Sequence, residues 1–129
     1  MNLAQNFFKK SGVNDIPRHM DAVDFNQPVQ TKVYPAGSVF YRYTQKELLP
    51  PKHYFFLDEG TMAGELGIGR KVYSNPESFV IEKYTLEKPV KVLETRVNLF
   101  DENGTPGAKQ VFSTDIQNSS TIKVMSPYE

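Results

Sequence analysis

The chain has no cysteine and only two histidines, His19 and His53. The first absence removes disulfides, zinc-thiolate sites and thiol nucleophiles together. The histidines stand on separate predicted elements with no H-x-x-x-H spacing, so no metal site is expected. Charge of one sign is lacking too: 15 basic and 15 acidic side chains leave a formal net charge of zero. That balance offers no electrostatic footprint for nucleic acid or an anionic membrane. No apolar run approaches transmembrane length, and the start, Met-Asn-Leu-Ala-Gln-Asn-Phe-Phe-Lys-Lys, is not a signal-peptide core, so a soluble chain with no membrane partner is expected. There is no G-x-S-x-G elbow to give meaning to Ser113, His53 and Asp58 as a triad. The glycines from Gly64 to Gly69 lack the G-x-G-x-x-G spacing of a doubly wound dinucleotide fold.

What is present is enough chain, 129 residues, for one domain with its own core. Residues 2–11 read as an amphipathic helix with Leu3, Phe7 and Phe8 on one side and Lys9 and Lys10 at the end where cations suit the dipole. A second helical turn runs through Arg18, His19 and Met20, with Asn14 or Asp15 to cap it and Pro17 in its first turn. Pro28 forces its predecessor out of helical space and marks the boundary. The division is a helical lead over 1–28 and a core over 29–129, within one compact domain.

Past Pro28 the pattern is that of strands. Residues 29–34 alternate, 35–37 turn, and 38–44 are β-branched and aromatic, which predicts a hairpin or one bent, continuing edge. Residues 53–58 form a strand, broken by Gly60, with Thr61 capping a short helix that ends near Leu66. Strands are predicted at 79–85, 90–97, 109–113 and 121–125, with turn-rich loops between them. The class is α+β: a helical lead, then a small, mostly antiparallel sheet.

Three features invite chemistry. Arg42 lies between Tyr41 and Tyr43, where an arginine is either snorkelling from a sheet edge or held for a bidentate anion. Tyr41, Tyr43, Tyr54, Phe55, Phe56 and Tyr73 supply ring faces, which are core by default. Gln110 opens a short strand after a glycine-containing loop, a position that periodicity alone reads as exposed.

The order Arg-His-Met-Asp-Ala-Val-Asp-Phe-Asn-Gln-Pro-Val from Arg18, an aromatic strand, then Tyr-Phe-Phe-x-Asp-x-Gly-Thr, then Leu66-Gly67-Ile68, Tyr84, Pro89-Val90, Val92-Leu93 and finally Gly-x-x-Gln-Val-Phe resembles a bacterial polymorphic-toxin tip domain. It is most similar to the group called polymorphic toxin type forty-six, and more distantly to tuberculosis-necrotising-toxin-like NAD glycohydrolases. The resemblance implies a compact split sheet like that of ADP-ribosyltransferases and a substrate, NAD or NADP, used without a metal. It implies that Arg42 holds the pyrophosphate or ribose, that Phe55, Phe56 and Tyr73 pack around nicotinamide, with Tyr41 beside them, and that Gln110 is the late catalytic glutamine. Asp58 and Thr61 are carried by the central motif. Hydrolysis is favoured over transfer, because no Glu-x-Glu or Gln-x-Glu pair follows Gln110. The alternatives are an ADP-ribosyltransferase that modifies a protein or nucleic acid, and a non-catalytic binding module or immunity partner. The resemblance further implies a cognate immunity protein, and secretion or contact delivery within a larger bacterial protein for action in the target-cell cytoplasm. One departure stands out: Gly107-Ala108-Lys109 replaces the family's glycine-rich run before the glutamine.

Overall fold

The computed structural model of the chain describes residues 2–45, 53–58, 61, 63–66, 74, 76–99 and 106–125. Two helices, α1 (Asn2–Lys10) and α2 (Ile16–Asp21), precede seven strands: β1 (Gln30–Tyr34), β2 (Val39–Gln45), β3 (Tyr54–Phe56), β4 (Phe79–Leu86), β5 (Val90–Asn98), β6 (Pro106–Phe112) and β7 (Ser120–Met125). The fold is α+β. Gly12, at φ 74°, ends α1 in the left-handed region that glycine tolerates. Asp15 precedes α2 with φ 56° but makes no capping hydrogen bond from its side chain. None of the described helices is long and apolar enough to cross a membrane.

The strands make one sheet in the order β1-β5-β6-β3-β2-β4-β7, every pair antiparallel. β1 and β2 form neither the hairpin nor the one bent, continuing edge expected of them, since β1 is an edge strand and β2 lies inside the sheet. β1 pairs with β5, Gln30 opposite Glu94, while β2 pairs with β4, Arg42 opposite Glu82. The turn between them carries the chain from one edge of the sheet to its other half instead. Gly37, at φ 91°, donates its N–H to the Leu86 carbonyl, and the Tyr34 and Phe40 rings meet edge to face across the turn at 5.1 Å. The two halves of the sheet touch at one seam, where β2 and β3 share the single residue pair Tyr41–Phe56.

Alternation along the strands gives each face its own core. One face packs Phe40, Phe55, Tyr84, Leu86, Val90, Val92 and Val111 around Ile116. On the other, α1 and α2 cover the β5–β6 half: Ala4 and Phe8 bury against Leu93 and Phe112. The lead is also bonded to the sheet. Val23 bridges Val97, the Asp24 N–H donates to the Arg96 carbonyl, and the Asn98 N–H donates to the Ala22 carbonyl.

Candidate functional site

Where the seam opens, the strands leave a cavity of about 220 Å³ lined by Arg42, Tyr43, Tyr54, Phe55, Phe56, Leu66 and Gln110. Its construction follows from register. Tyr41, Phe56, Gln110 and Thr95 stand opposite one another across β2, β3, β6 and β5, so their side chains form one row on the helix-covered face. Arg42, next along β2, belongs to the other face, with Glu82 opposite. Both reach the same cavity because only one residue pair closes the seam. Arg42 spans it, donating from Nη1 to the Tyr54 carbonyl at 3.4 Å.

Gln110 is buried, against the expectation of an exposed strand position, and its amide is held. Nε2 donates to the Ala22 carbonyl at 3.3 Å and to Thr95 Oγ1 at 3.2 Å. The Ala22 carbonyl can only accept, which fixes which end of the amide carries the hydrogens. With both hydrogens engaged, the Gln110 carbonyl oxygen is the group left to meet a ligand. Tyr54 is held in a parallel way: its hydroxyl lies 2.6 Å from His19 Nδ1, and the two rings stack at 5.7 Å. Burial raises the Tyr54 phenol above its usual pKa and is the largest influence lowering that of His19, so both are held toward their neutral forms and the His19 tautomer sets which of the two donates. Burial likewise lowers the Arg42 guanidinium, while Tyr84 and Glu82 act in the opposite sense; an arginine remains a cation through such shifts.

Of the residues predicted for the site, Arg42, Phe55, Phe56 and Gln110 meet at this cavity. Tyr41 shares their row but does not line the cavity, its ring stacked on Phe56 at 5.7 Å. Asp58 and Thr61 line a neighbouring cavity of about 440 Å³ with Glu65, Arg96 and Lys109. Thr61 meets the wall of the first cavity through its carbonyl, which accepts from the Tyr43 hydroxyl at 3.3 Å. Tyr73 lies outside the described residues. Sequence reasoning named Tyr43 and Tyr54 only as ring faces, core by default, and overlooked Leu66 as lining, Thr95 and the Ala22 carbonyl as the clamp on Gln110, and His19 as the clamp on Tyr54. No sequence signal marked these: Thr95 stands between Glu94 and Arg96 in β5, and nothing local sets it apart. Among the described residues, no group of three or more His, Asp or Glu side chains could hold a metal ion.

The histidines give the fold a defined response to acid. Burial, the largest cause in each, lowers the pKa of His19 and His53 below the usual 6.5. The unfolded chain therefore binds more protons in the window from 6.5 down to the folded values, and stability falls as pH falls through it. A second loss comes at lower pH. Burial pushes the Glu94 carboxyl up, but hydrogen bonds from Tyr34 and Gln30, with Lys109 and Lys32 nearby, together hold it below its usual 4.5. Melting temperature should be flat from neutrality to the onset of tyrosine ionisation, decline as pH falls below 6.5, and decline again below pH 4.5; burial raises Tyr34, Tyr54 and Tyr84, so it should also decline as pH rises past 10. In His53→Phe the first decline should be shallower; an unchanged profile would show that His53 titrates normally.

No family model matches the chain. No curated protein matches it. Among solved structures it is similar to that of Tse6 in complex with Tsi6, with a TM-score of 0.76 and 26% identity, over 93% of this chain and 90% of that one. Tse6 is an interbacterial toxin. The likeness supports, at the level of the fold, a toxin domain.

Proposed function

We propose that this chain is a bacterial toxin domain that cleaves NAD or NADP at the nicotinamide–ribose bond and transfers the ADP-ribose to water. The observation that carries the reading is the meeting of Arg42 and Gln110, from β2 and β6, at one cavity in the sheet seam. The aromatic wall of Tyr54, Phe55 and Phe56 suits a flat ring. At about 220 Å³ the cavity is smaller than the ~300–1,000 Å³ of typical ligand pockets, which suits one end of a dinucleotide with the remainder outside.

The chemistry asks little of a general acid. Nicotinamide leaves as a neutral molecule from a cationic ribosyl bond, and the ribose passes through an oxocarbenium-like state. Fixed dipoles and positioning can supply much of the barrier reduction. A Gln110 carbonyl oxygen, immobilised through its own Nε2, would orient a ribose hydroxyl or the attacking water and face the developing positive charge. Arg42 would hold the ligand's anionic part through paired N–H donors. The likeness to a structure of Tse6 with Tsi6 supports a cognate immunity protein as the partner, and delivery between bacterial cells as the setting.

The test is NAD consumption by the purified chain with no acceptor present, for wild type and for Gln110→Ala, each checked for folding by circular dichroism. Wild type should release free ADP-ribose. Gln110→Ala should be slower by about a hundredfold, the worth of one lost transition-state contact. Intact NAD with wild type would overturn hydrolysis; labelled protein or RNA in a lysate would then identify a transferase, and no labelling would leave a binding module.

A further inference from the structure

Tyr54 is held at both ends. Its ring lines the cavity, its carbonyl accepts from Arg42 Nη1 at 3.4 Å, and its hydroxyl lies 2.6 Å from His19 Nδ1. The imidazole also lies along the Tyr54 ring, 5.7 Å between centroids and 19° between planes, while Phe112 meets that ring at 5.1 Å. His19 is itself packed by Phe8 at 5.3 Å and Phe112 at 5.6 Å. The helix that carries it makes little core. None of the six residues of α2 is fully buried, and no side chain caps it, so it is marginal by itself. Besides the partly buried Ile16 and Met20, what it gives the sheet is polar: His19 to Tyr54 and, from the residue after it, the Ala22 carbonyl to Gln110.

We infer that His19 is a positioning residue for the cleavage reaction, fixing through Tyr54 the wall against which nicotinamide packs, a role that rests on the function proposed above. His19 does not line the cavity, so it is not placed to exchange a proton with the substrate. Its reach is through Tyr54. That residue opens β3, a strand of three residues joined to β2 by the Tyr41–Phe56 pair, and its own ladder partner is Phe112 on β6. The hydroxyl–imidazole bond fixes the far end of the Tyr54 ring, and the stacked imidazole backs one of its faces. A flat ligand ring then meets a wall already in place, which lowers the ordering cost of binding. Arg42 gains as well, because the carbonyl that anchors it belongs to the same residue.

Steady-state NAD cleavage by the full chain is the readout, for wild type, His19→Phe, His19→Asn, Tyr54→Phe and the double variant His19→Phe/Tyr54→Phe. His19→Phe keeps a ring to stack and removes the hydrogen bond. Its KM should rise about tenfold with kcat little changed, as when a contact made equally in the ground and transition states is lost. A loss of folded protein does the reverse, lowering apparent kcat and leaving KM alone. His19→Asn sets an amide as many bonds from Cα as Nδ1, able to donate or accept, and should bring KM back to within about threefold of wild type. Tyr54→Phe should match His19→Phe, and the double variant should be no worse than either, because all three remove the same bond. A wild-type KM in His19→Phe, an asparagine no better than phenylalanine, or additive losses in the double variant overturns the positioning role and leaves the hydrolase reading standing. Wild type that leaves NAD intact overturns the hydrolase reading and the role of His19 with it.

Discussion

Gly107→Ala should destabilise the protein by about 3 kcal/mol or more, near the upper end for overpacking, because its neighbours cannot yield cheaply. A Cβ at this position would lie 2.6 Å from the Val97 carbonyl oxygen, 2.7 Å from Val97 Cβ and 2.8 Å from the Glu65 carbonyl oxygen. Two of the three are backbone oxygens on different segments. Relief would require β5 to move away from β6, or the short 3-10 turn at Ala63–Leu66 to lift. Both movements reach the site. Leu66 is part of the cavity wall, and Val97 bridges Val23, next to the Ala22 carbonyl that holds Gln110. Denaturant titration should show a lower midpoint with an unchanged slope, and any folded fraction should cleave NAD more slowly than wild type. Ala108→Ser, at the adjacent half-buried position, should stay within about 0.5 kcal/mol. If Gly107→Ala matches wild type in both respects, the close packing of β6 under this turn is wrong.

This glycine also shows what could and could not be read in advance. Gly107-Ala108-Lys109 departs from the glycine-rich run expected before Gln110, and a lysine there bears on how tightly the chain can approach its neighbours. The strand resolves this through an irregularity: the β5–β6 register shifts between Arg96 and Asn98, and strict alternation is broken there. Lys109 stands opposite Arg96 and is exposed, while Gly107 and Gln110 are buried. The tight approach belongs to Gly107 alone. The bounds of most strands were legible: buried and partly buried positions alternate along most of Phe79–Leu86, broken only at Ile81 and Glu82, and apolar periodicity carries that signal. Partners were not legible, because pairing is a property of distant segments. The 35–37 turn looked local and suggested a hairpin or one bent, continuing edge, yet Gln30 finds Glu94, 64 residues away. Gln110 looked exposed because its acceptors, Thr95 and Ala22, are distant in sequence, the latter 88 residues away. Arg42 could be read as snorkelling or as anion-binding from its aromatic flanks. What sequence lacked was the opening of the β2–β3 seam, which places it at a cavity with Gln110.

The other large effect is expected at Phe112, which should cost about 3–5 kcal/mol when cut back to alanine. Its side chain is 1% exposed. Its ring touches five others: Phe8 at 4.8 Å, Tyr54 at 5.1 Å, His19 at 5.6 Å, His53 at 5.8 Å and Phe7 at 6.0 Å. Those partners come from both helices and from the strand beside the cavity, so the ring joins the N-terminal lead to the sheet. A loss of 3–5 kcal/mol is a large share of the ~5–15 kcal/mol that stabilises a domain. It should also be unevenly distributed. Amide exchange across 2–21 should accelerate more than exchange in β4, whose neighbours β2 and β7 do not touch this cluster. Release of the lead would withdraw the Ala22 carbonyl from Gln110 and His19 from Tyr54. NAD cleavage should then fall in the folded fraction even though Phe112 does not line the cavity. Phe112→Leu, which keeps most of the volume, should recover much of both losses. Uniform acceleration of exchange would mean that lead and sheet unfold as one cooperative unit. Undiminished cleavage with a freely exchanging lead would mean that the Ala22 carbonyl does not position Gln110, and that Thr95 alone holds the amide.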